Sequence, residues 1–280
     1  MGDELDNDFH SMSKLADEQE LIPTGLRPRK FAPRHFYHLA EPANWPLIHR
    51  LGLLSTERLL DLAKVSEKER EAILCQHRPE SVTLANGVVI RDQKPMPPLL
   101  LARALPKDVS PSEWYRFLNR FVFLWANRER VERHLGACGS PQILLAFDAP
   151  RLLAQLGDRI YLSPINSGNA RRRPAPRSTR TFVPFREWTK SGWPAMDGES
   201  RRRICPPVEI LVEGNLTLQP FLLASGTVRP GTAASFEAEL SWAQINQKEE
   251  GTTAAPKSSE VKWTQITRIK ENEIPNTWMK

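Results

Sequence analysis

The sequence predicts an α+β fold, and three observations lead there. Short apolar, strand-like segments alternate with short amphipathic stretches, without the regular strand–helix–strand rhythm of a doubly wound sheet. Apolar residues make up 40% of the 280 positions, enough to bury a core as one domain with extensions or as two small domains. Stop and turn residues fall between the segments: Gly52, Asn86–Gly87, Asp148 and Pro206–Pro207. No internal repeat is present.

Phe36 to Ala40 reads as the first strand and carries His38 at its centre. Pro42 to Leu51 fits a helix, with Trp45, Ile48 and Leu51 on one stripe and Gly52 as its stop. Thr56 is placed to cap a second helix, Glu57 to Ala63. Lys64 to His77 reads as a third helix, and Val82 to Ile90 as a hairpin turning at Asn86–Gly87. Pro111 to Asn119 is helical and aromatic, Arg120 to Trp125 is a short strand, and Glu129 to Leu135 is a helix. Gln142 to Phe147 is a strong strand, and Asp148 leads into the helix Pro150 to Leu156. Arg159 to Leu162, Val208 to Val212 and Leu216 to Leu223 complete the expected strands.

Composition sets the domain limits. Residues 1–30 are polar and acidic with no apolar period, and read as a disordered tail. Residues 31–230 form the expected domain, with a basic insert near 163–203. Residues 231–280 hold a linker, Glu249 to Glu260, rich in Gly, Thr, Ala, Ser and Lys, and a polar extension.

Several classes are set aside on the same grounds. No run approaches the ~18 apolar residues of a membrane helix. The start, MGDELDNDFHSMSKLADEQE, is not a secretory signal, and Asp6 stands where a myristoylation signal wants Ser or Thr. Cys75, Cys138 and Cys205 are few, odd in number and unpaired in spacing, which suits reduced thiols and a cytoplasmic protein. No CxxC pair or His/Cys cluster calls for a metal. The net charge is +6 and unevenly spread. Arg171, Arg172, Arg173, Arg177 and Arg180 lie within ten residues, and Arg201 to Arg203 follow. Such a run attracts phosphates; it is also the composition of a solvated loop.

Four strand-borne fragments carry polar groups in order: Tyr37-His38-Leu39-Ala40 with Asn44 and Gly52-Leu53-Leu54, then VFLWANRER (Val122 to Arg130), ILLAFD (Ile143 to Asp148) and PPVEILVE (Pro206 to Glu213). A histidine, an arginine and a strand glutamate together suit a dinucleotide. Arginine suits pyrophosphate, and a carboxylate stabilises the positive charge that develops at a ribose C1′ when its leaving group departs.

The ordered set resembles the ADP-ribosyltransferase (ART) fold, and within it the DarT-like nucleic-acid-modifying toxins. FYHLAEPANWPLIHRLGLLS resembles that branch's first strand and helix, VFLWANR its strand ending in arginine, and PVEILV its strand with the catalytic glutamate. The stretch YLSPINSGNARRRPAPRSTRTFVPFREW departs from that branch. With FYHLAE it resembles an uncharacterised bacterial family carrying the same FYHLAE and SPxNSGN pieces. The resemblance spans roughly Arg34 to Gly214 and implies an ART-like split mixed sheet with flanking helices.

It further implies NAD as a substrate and a nucleic acid, DNA or RNA, as acceptor; a toxin of this kind also implies an antitoxin partner. His38, Leu39 and Asn44 would bind the dinucleotide, Arg128 its pyrophosphate, and Glu209 would be catalytic. Arg171, Arg172, Arg173 and Arg177, with Asn166 and Asn169, would meet the acceptor. Arg130 competes with Arg128, and Glu213 with Glu209. Ser163 and Ser167 share the polar loop with the two asparagines, where turn chemistry is the plain alternative. Asn44 can equally bond local backbone at a helix start, and His38 can be a core histidine. Two rivals stand beside the enzyme. One is a nucleic-acid-binding module that uses Arg171 to Arg180 with Phe182, Phe185 and Trp188 for charge and stacking. The other is a degenerate ART fold that binds a nucleotide without turnover.

Overall fold

The computed structural model describes residues 31–171, 174–194, 206–231 and 241–242. The expected acidic tail, Arg172, Arg173, Arg201 to Arg203, Cys205, the Glu249–Glu260 linker and the polar extension lie outside the described residues. The described elements mix helices with a large sheet. Strands β1 (His35–Ala40), β2 (Leu53–Leu54), β3 (Val82–Thr83), β4 (Val89–Ile90), β5 (Phe121–Trp125) and β6 (Gln142–Asp148) come first. They are followed by β7 (Ile160–Ser163), β8 (Val183–Pro184), β9 (Glu209–Glu213), β10 (Asn215–Leu216), β11 (Leu222–Val228) and β12 (Ser241–Trp242). The helices are α1 (Trp45–Leu51), α2 (Thr56–Ala63), α3 (Glu67–Cys75), α4 (Pro98–Ala102), α5 (Pro111–Leu118), α6 (Arg128–Gly136), α7 (Ala149–Leu156) and α8 (Phe185–Ser191).

Eight strands form one sheet in the order β12-β11-β6-β1-β5-β9-β7-β8. Every neighbouring pair in it is antiparallel, so the expected mixed sheet is corrected to an antiparallel one. Alternation along a strand reports which face is buried and carries no information on the direction of the neighbour. The sheet has a weak seam. β1 pairs with β6 at six positions, and β5 with β9 at five, but β1 and β5 pair only at Tyr37 and Trp125. Two half-sheets therefore meet at one residue pair.

One face of the sheet is covered continuously. Phe36, Leu124, Leu145, Phe147, Ile210 and Val212 pack there with Ile48 of α1, Leu152 of α7 and Trp188 of α8. The other face is covered in two parts. Val131 and Leu135 of α6 cover Leu39, Leu144, Ala146 and Ala224 of the first half-sheet. Trp114, Tyr115 and Leu118 of α5 cover Phe121 and Leu211 of the second. Glu209 lies opposite Trp125 in the ladder, on this second face, where the two covers part.

The local departures from the expected elements have plain causes. Ser55, rather than Thr56, caps α2 by accepting from the Arg58 N–H at 3.3 Å. Ser66 caps α3, and Lys64, at φ 51°, ends α2, so the expected helix from Lys64 starts at Glu67. The expected strand Leu216 to Leu223 divides into β10 and β11. Pro220 lacks an amide donor there, and the Leu218 carbonyl accepts from the N–H groups of Phe221 and Leu222 instead. The basic insert contributes to the core: Phe182, Val183 and Trp188 are buried.

Gly52 ends α1 at φ 83°, and this lets β2 lie against β10. A Cβ on Gly52 would collide with the carbonyl of Leu216.

Candidate functional site

The site is built from the seam outward. Glu209 opens β9 two residues after Pro207, with Val208 between them, and pairs with Trp125 of β5 and Ser163 of β7. Apolar neighbours on the strand hold its backbone in the sheet, and its residue surface is only 3% exposed. Its Oε2 accepts two hydrogen bonds from Ser167, from the N–H at 3.0 Å and from the Oγ–H at 2.6 Å. Oε1 takes no hydrogen bond from a described residue, yet it is not among the side-chain atoms sealed from solvent without a partner. The carboxylate is thus gripped by one oxygen, with no described donor on the other. Burial raises its pKa to about 7, against the Ser167 hydrogen bonds and the charges of Arg177 and Arg130, which pull it down.

The rival carboxylate, Glu213, sits at the other end of β9. It pairs with Arg120 at 2.5 Å and is partly exposed.

His38 stands next to the seam residue Tyr37. Its Nδ1 lies 2.8 Å from the Phe123 carbonyl of β5. A carbonyl can only accept, so Nδ1 carries the proton and Nε2 is left as an acceptor. Burial lowers the His38 pKa to about 4, with Arg91 and His134 adding to the effect, so the ring is neutral at pH 7. The ring spans the fork that opens where β1 and β5 stop pairing, and satisfies a carbonyl that the ladder leaves over. Register sets a limit on how His38 and Glu209 can cooperate. Glu209 shares the face of Tyr37 and Trp125, while His38 shares the alternation of Leu124 and Ile210. The two residues are two strands apart, roughly 10 Å, but the pleat starts their side chains toward opposite faces.

The α6 arginines divide. Arg128 pairs with Glu132 one turn along the helix, at 2.8 Å, and is partly exposed. Arg130 is the α6 arginine whose charge bears on Glu209. The resemblance placed Arg128 at the pyrophosphate with Arg130 as its competitor, and both are half-buried on α6.

Asn44 forms a two-point clamp on β4. Its Nδ2 donates to the Val89 carbonyl and its Oδ1 accepts from the Val89 N–H, both at 2.8 Å. Asn44→Ala is expected to cost about 1–3 kcal/mol, because both bonds are lost and the half-buried N–H and C=O of Val89 are left without them. Urea denaturation of the variant checks it, and a change below 0.3 kcal/mol would mean the clamp is not held in solution. Leu39 is a core residue packed on Val131 and Leu135.

The basic segment is used differently from its sequence reading. Arg177 is 1% exposed, too deep to meet an acceptor phosphate directly as it stands. Arg171 is exposed and donates to the Lys94 carbonyl at 3.1 Å. Asn166 and Asn169 are exposed in the loop after β7. The Asn169 Oδ1 accepts from the Arg171 N–H at 2.9 Å, which is turn chemistry. Of the aromatics proposed for stacking, Phe182 and Trp188 are buried, and Phe185 packs against the main core.

Sequence reasoning missed the cluster behind His38. Arg91 contacts Glu41, His134 and Gln142 together. These residues come from separate elements and share no motif, so no local signal marks them. Among the described residues, no group of three or more His, Cys, Asp or Glu side chains could hold a metal ion. No described helix is long and apolar enough to cross a membrane.

The described residues thus present an antiparallel sheet joined at one residue pair, with a buried carboxylate beside that pair. The chain belongs to a family of unknown function, DUF7002, whose model matches residues 34–219. No curated protein and no solved structure matches the chain.

Proposed function

We propose that this protein is an NAD-dependent ADP-ribosyltransferase of ART-like fold, with a nucleic-acid base as acceptor. One observation carries the reading: Glu209 is buried beside the seam of the sheet, held through Oε2 by Ser167, with no described donor on Oε1. A buried carboxylate with an unbonded oxygen costs stability and needs a task. The task proposed is to face the positive charge that develops at the nicotinamide ribose C1′ as nicotinamide leaves. The charge of Arg130 bears on Glu209, and a guanidinium suits a phosphate of the dinucleotide. His38, neutral and with Nε2 free to accept, suits a ribose hydroxyl at the fork. The net charge of +6 supports a polyanionic acceptor.

The test is incubation with labelled NAD and, in turn, single-stranded DNA, RNA and total protein. Wild type is expected to label nucleic acid, and Glu209→Gln to lose at least a hundredfold in rate with little change in NAD affinity. Equal labelling by wild type and Glu209→Gln would sink the assignment.

The opposite alternation of His38 and Glu209 favours a second reading, a domain of the same fold that binds a nucleotide without turnover. In that case NAD raises the melting temperature and no acceptor is labelled.

A further inference from the structure

Arg177 is buried and makes no ion pair with a described residue, which is unusual for a charged group at 1% exposure. Its guanidinium donates instead to three carbonyls of one loop. Nε donates to Ala175 at 3.1 Å, Nη1 to Ser167 at 2.8 Å and Nη2 to Asn169 at 2.9 Å. The loop is also tied to the segment before α5, by the Ala170 N–H to the Pro95 carbonyl at 2.9 Å and the Arg177 N–H to the Ala104 carbonyl at 2.8 Å. The opposite charge that bears on Arg177 is Glu209. Between them stands Ser167, whose carbonyl takes Arg177 and whose N–H and Oγ–H both take Glu209 Oε2. One side chain therefore sets the loop, and the loop sets the carboxylate.

We propose that Arg177 is the positioning residue for Glu209: by binding the carbonyls of Ser167, Asn169 and Ala175 it holds both donors of Ser167 on Oε2 and keeps Oε1 outward. The rigid fork of a guanidinium matches three fixed acceptors, where the single point of an ammonium does not. Arg177 also favours the ionised carboxylate through its charge. The other groups facing Glu209 are Ser167 from the loop, Arg130 from α6 and the Trp125 side from β5.

The test reads the carboxyl group directly. Carbon-13 NMR of protein labelled at glutamate carboxyls follows the Glu209 titration, with Glu209→Gln identifying its signal. In Arg177→Gln the midpoint is expected to rise by about one pH unit or more, a tenfold change in proton affinity. Arg177→Lys restores the charge, so its midpoint returns part of the way, but exchange of the Ser167 amide stays at least tenfold faster than in wild type. If Arg177→Gln does not fold, Ser167→Ala and Arg177→Lys carry the test. Ser167→Ala removes one donor and is expected to raise the midpoint as well. Folded variants whose midpoint and Ser167 exchange both match wild type would overturn the proposal and leave Arg177 as a loop staple.

A second arm rests on the transferase reading: the acidic limb of the pH–rate profile with labelled NAD moves up in Arg177→Lys by the amount its midpoint moved. A limb that stays in place while the midpoint moves overturns the positioning role. Wild type inactive on every acceptor, with the titration shifts present, sinks the transferase reading and upholds the positioning of Glu209 by Arg177.

Discussion

Glu209→Gln is expected to stabilise the protein by about 3 kcal/mol at pH 8 and to leave it unchanged at pH 4. The folded pKa of Glu209 is raised to about 7 from an ordinary 4.5. Between those values the unfolded chain ionises first, so stability falls as pH rises through the window, and the loss is complete above the folded value. Each pH unit of difference is worth about 1.4 kcal/mol. Glutamine keeps an acceptor for Ser167 and removes the charge. His38 acts with the opposite sign. Its folded pKa is lowered to about 4 from 6.5, so its contribution is present above 6.5 and lost as pH falls toward 4. The two therefore oppose each other over much of one range, and the difference between wild type and Glu209→Gln isolates the carboxylate. Urea denaturation from pH 4 to 8 checks it. A variant that parallels wild type across the range would show that Glu209 ionises as freely in the fold as out of it. On the proposed function, this cost is stability given up for chemistry.

The second large effect is expected at Gly52→Ala: a loss of about 3 kcal/mol, or a fall of about 6–12 °C in Tm for a domain of this size. The backbone there is at φ 83° and ψ −170°, a region open to glycine and strained for any residue with a Cβ. The added methyl would also meet the Leu216 carbonyl and the Thr217 Cα, and neither can move without breaking the pairing of β2 with β10. Differential scanning calorimetry decides it. A fall below 1 °C would mean that this strand pair is not closed in solution.

Much of this architecture was legible in the sequence. The α+β class, the central histidine strand, the aromatic helix and the strand carrying Glu209 follow from apolar runs bounded by Gly, Pro and Asn. Strand direction was not legible, since the pleat repeats every two residues whichever way the neighbour runs. Asp148 announced its helix, and it accepts from the Arg151 N–H at 2.9 Å. Ser55 and Ser66 were passed over as caps because neighbouring residues offered plausible starts. Within the candidate site, Glu209 was visible as a charge in an apolar strand. Arg130 was visible as the competitor of Arg128, whereas the inward turn of Arg177 was hidden, because a run of arginines reads as a solvated surface. Only folding reveals that Arg177 points inward to its own loop.

The strand order also sets how the chain can fold. β1 is central, yet β5 starts at Phe121 and β6 at Gln142, so neither neighbour is local. β6 in turn waits for β11, which ends at Val228. Pairings of such separation pay loop-closure entropy before they are rewarded, which places folding in the slow, millisecond-to-second range. On a ribosome adding about 5–20 residues per second, β1 waits roughly 5–20 s before its second neighbour, β6, is complete. Through that interval the run from Phe36 to Ala40 has an unpaired edge, and it is the segment that a holdase chaperone would have most reason to cover.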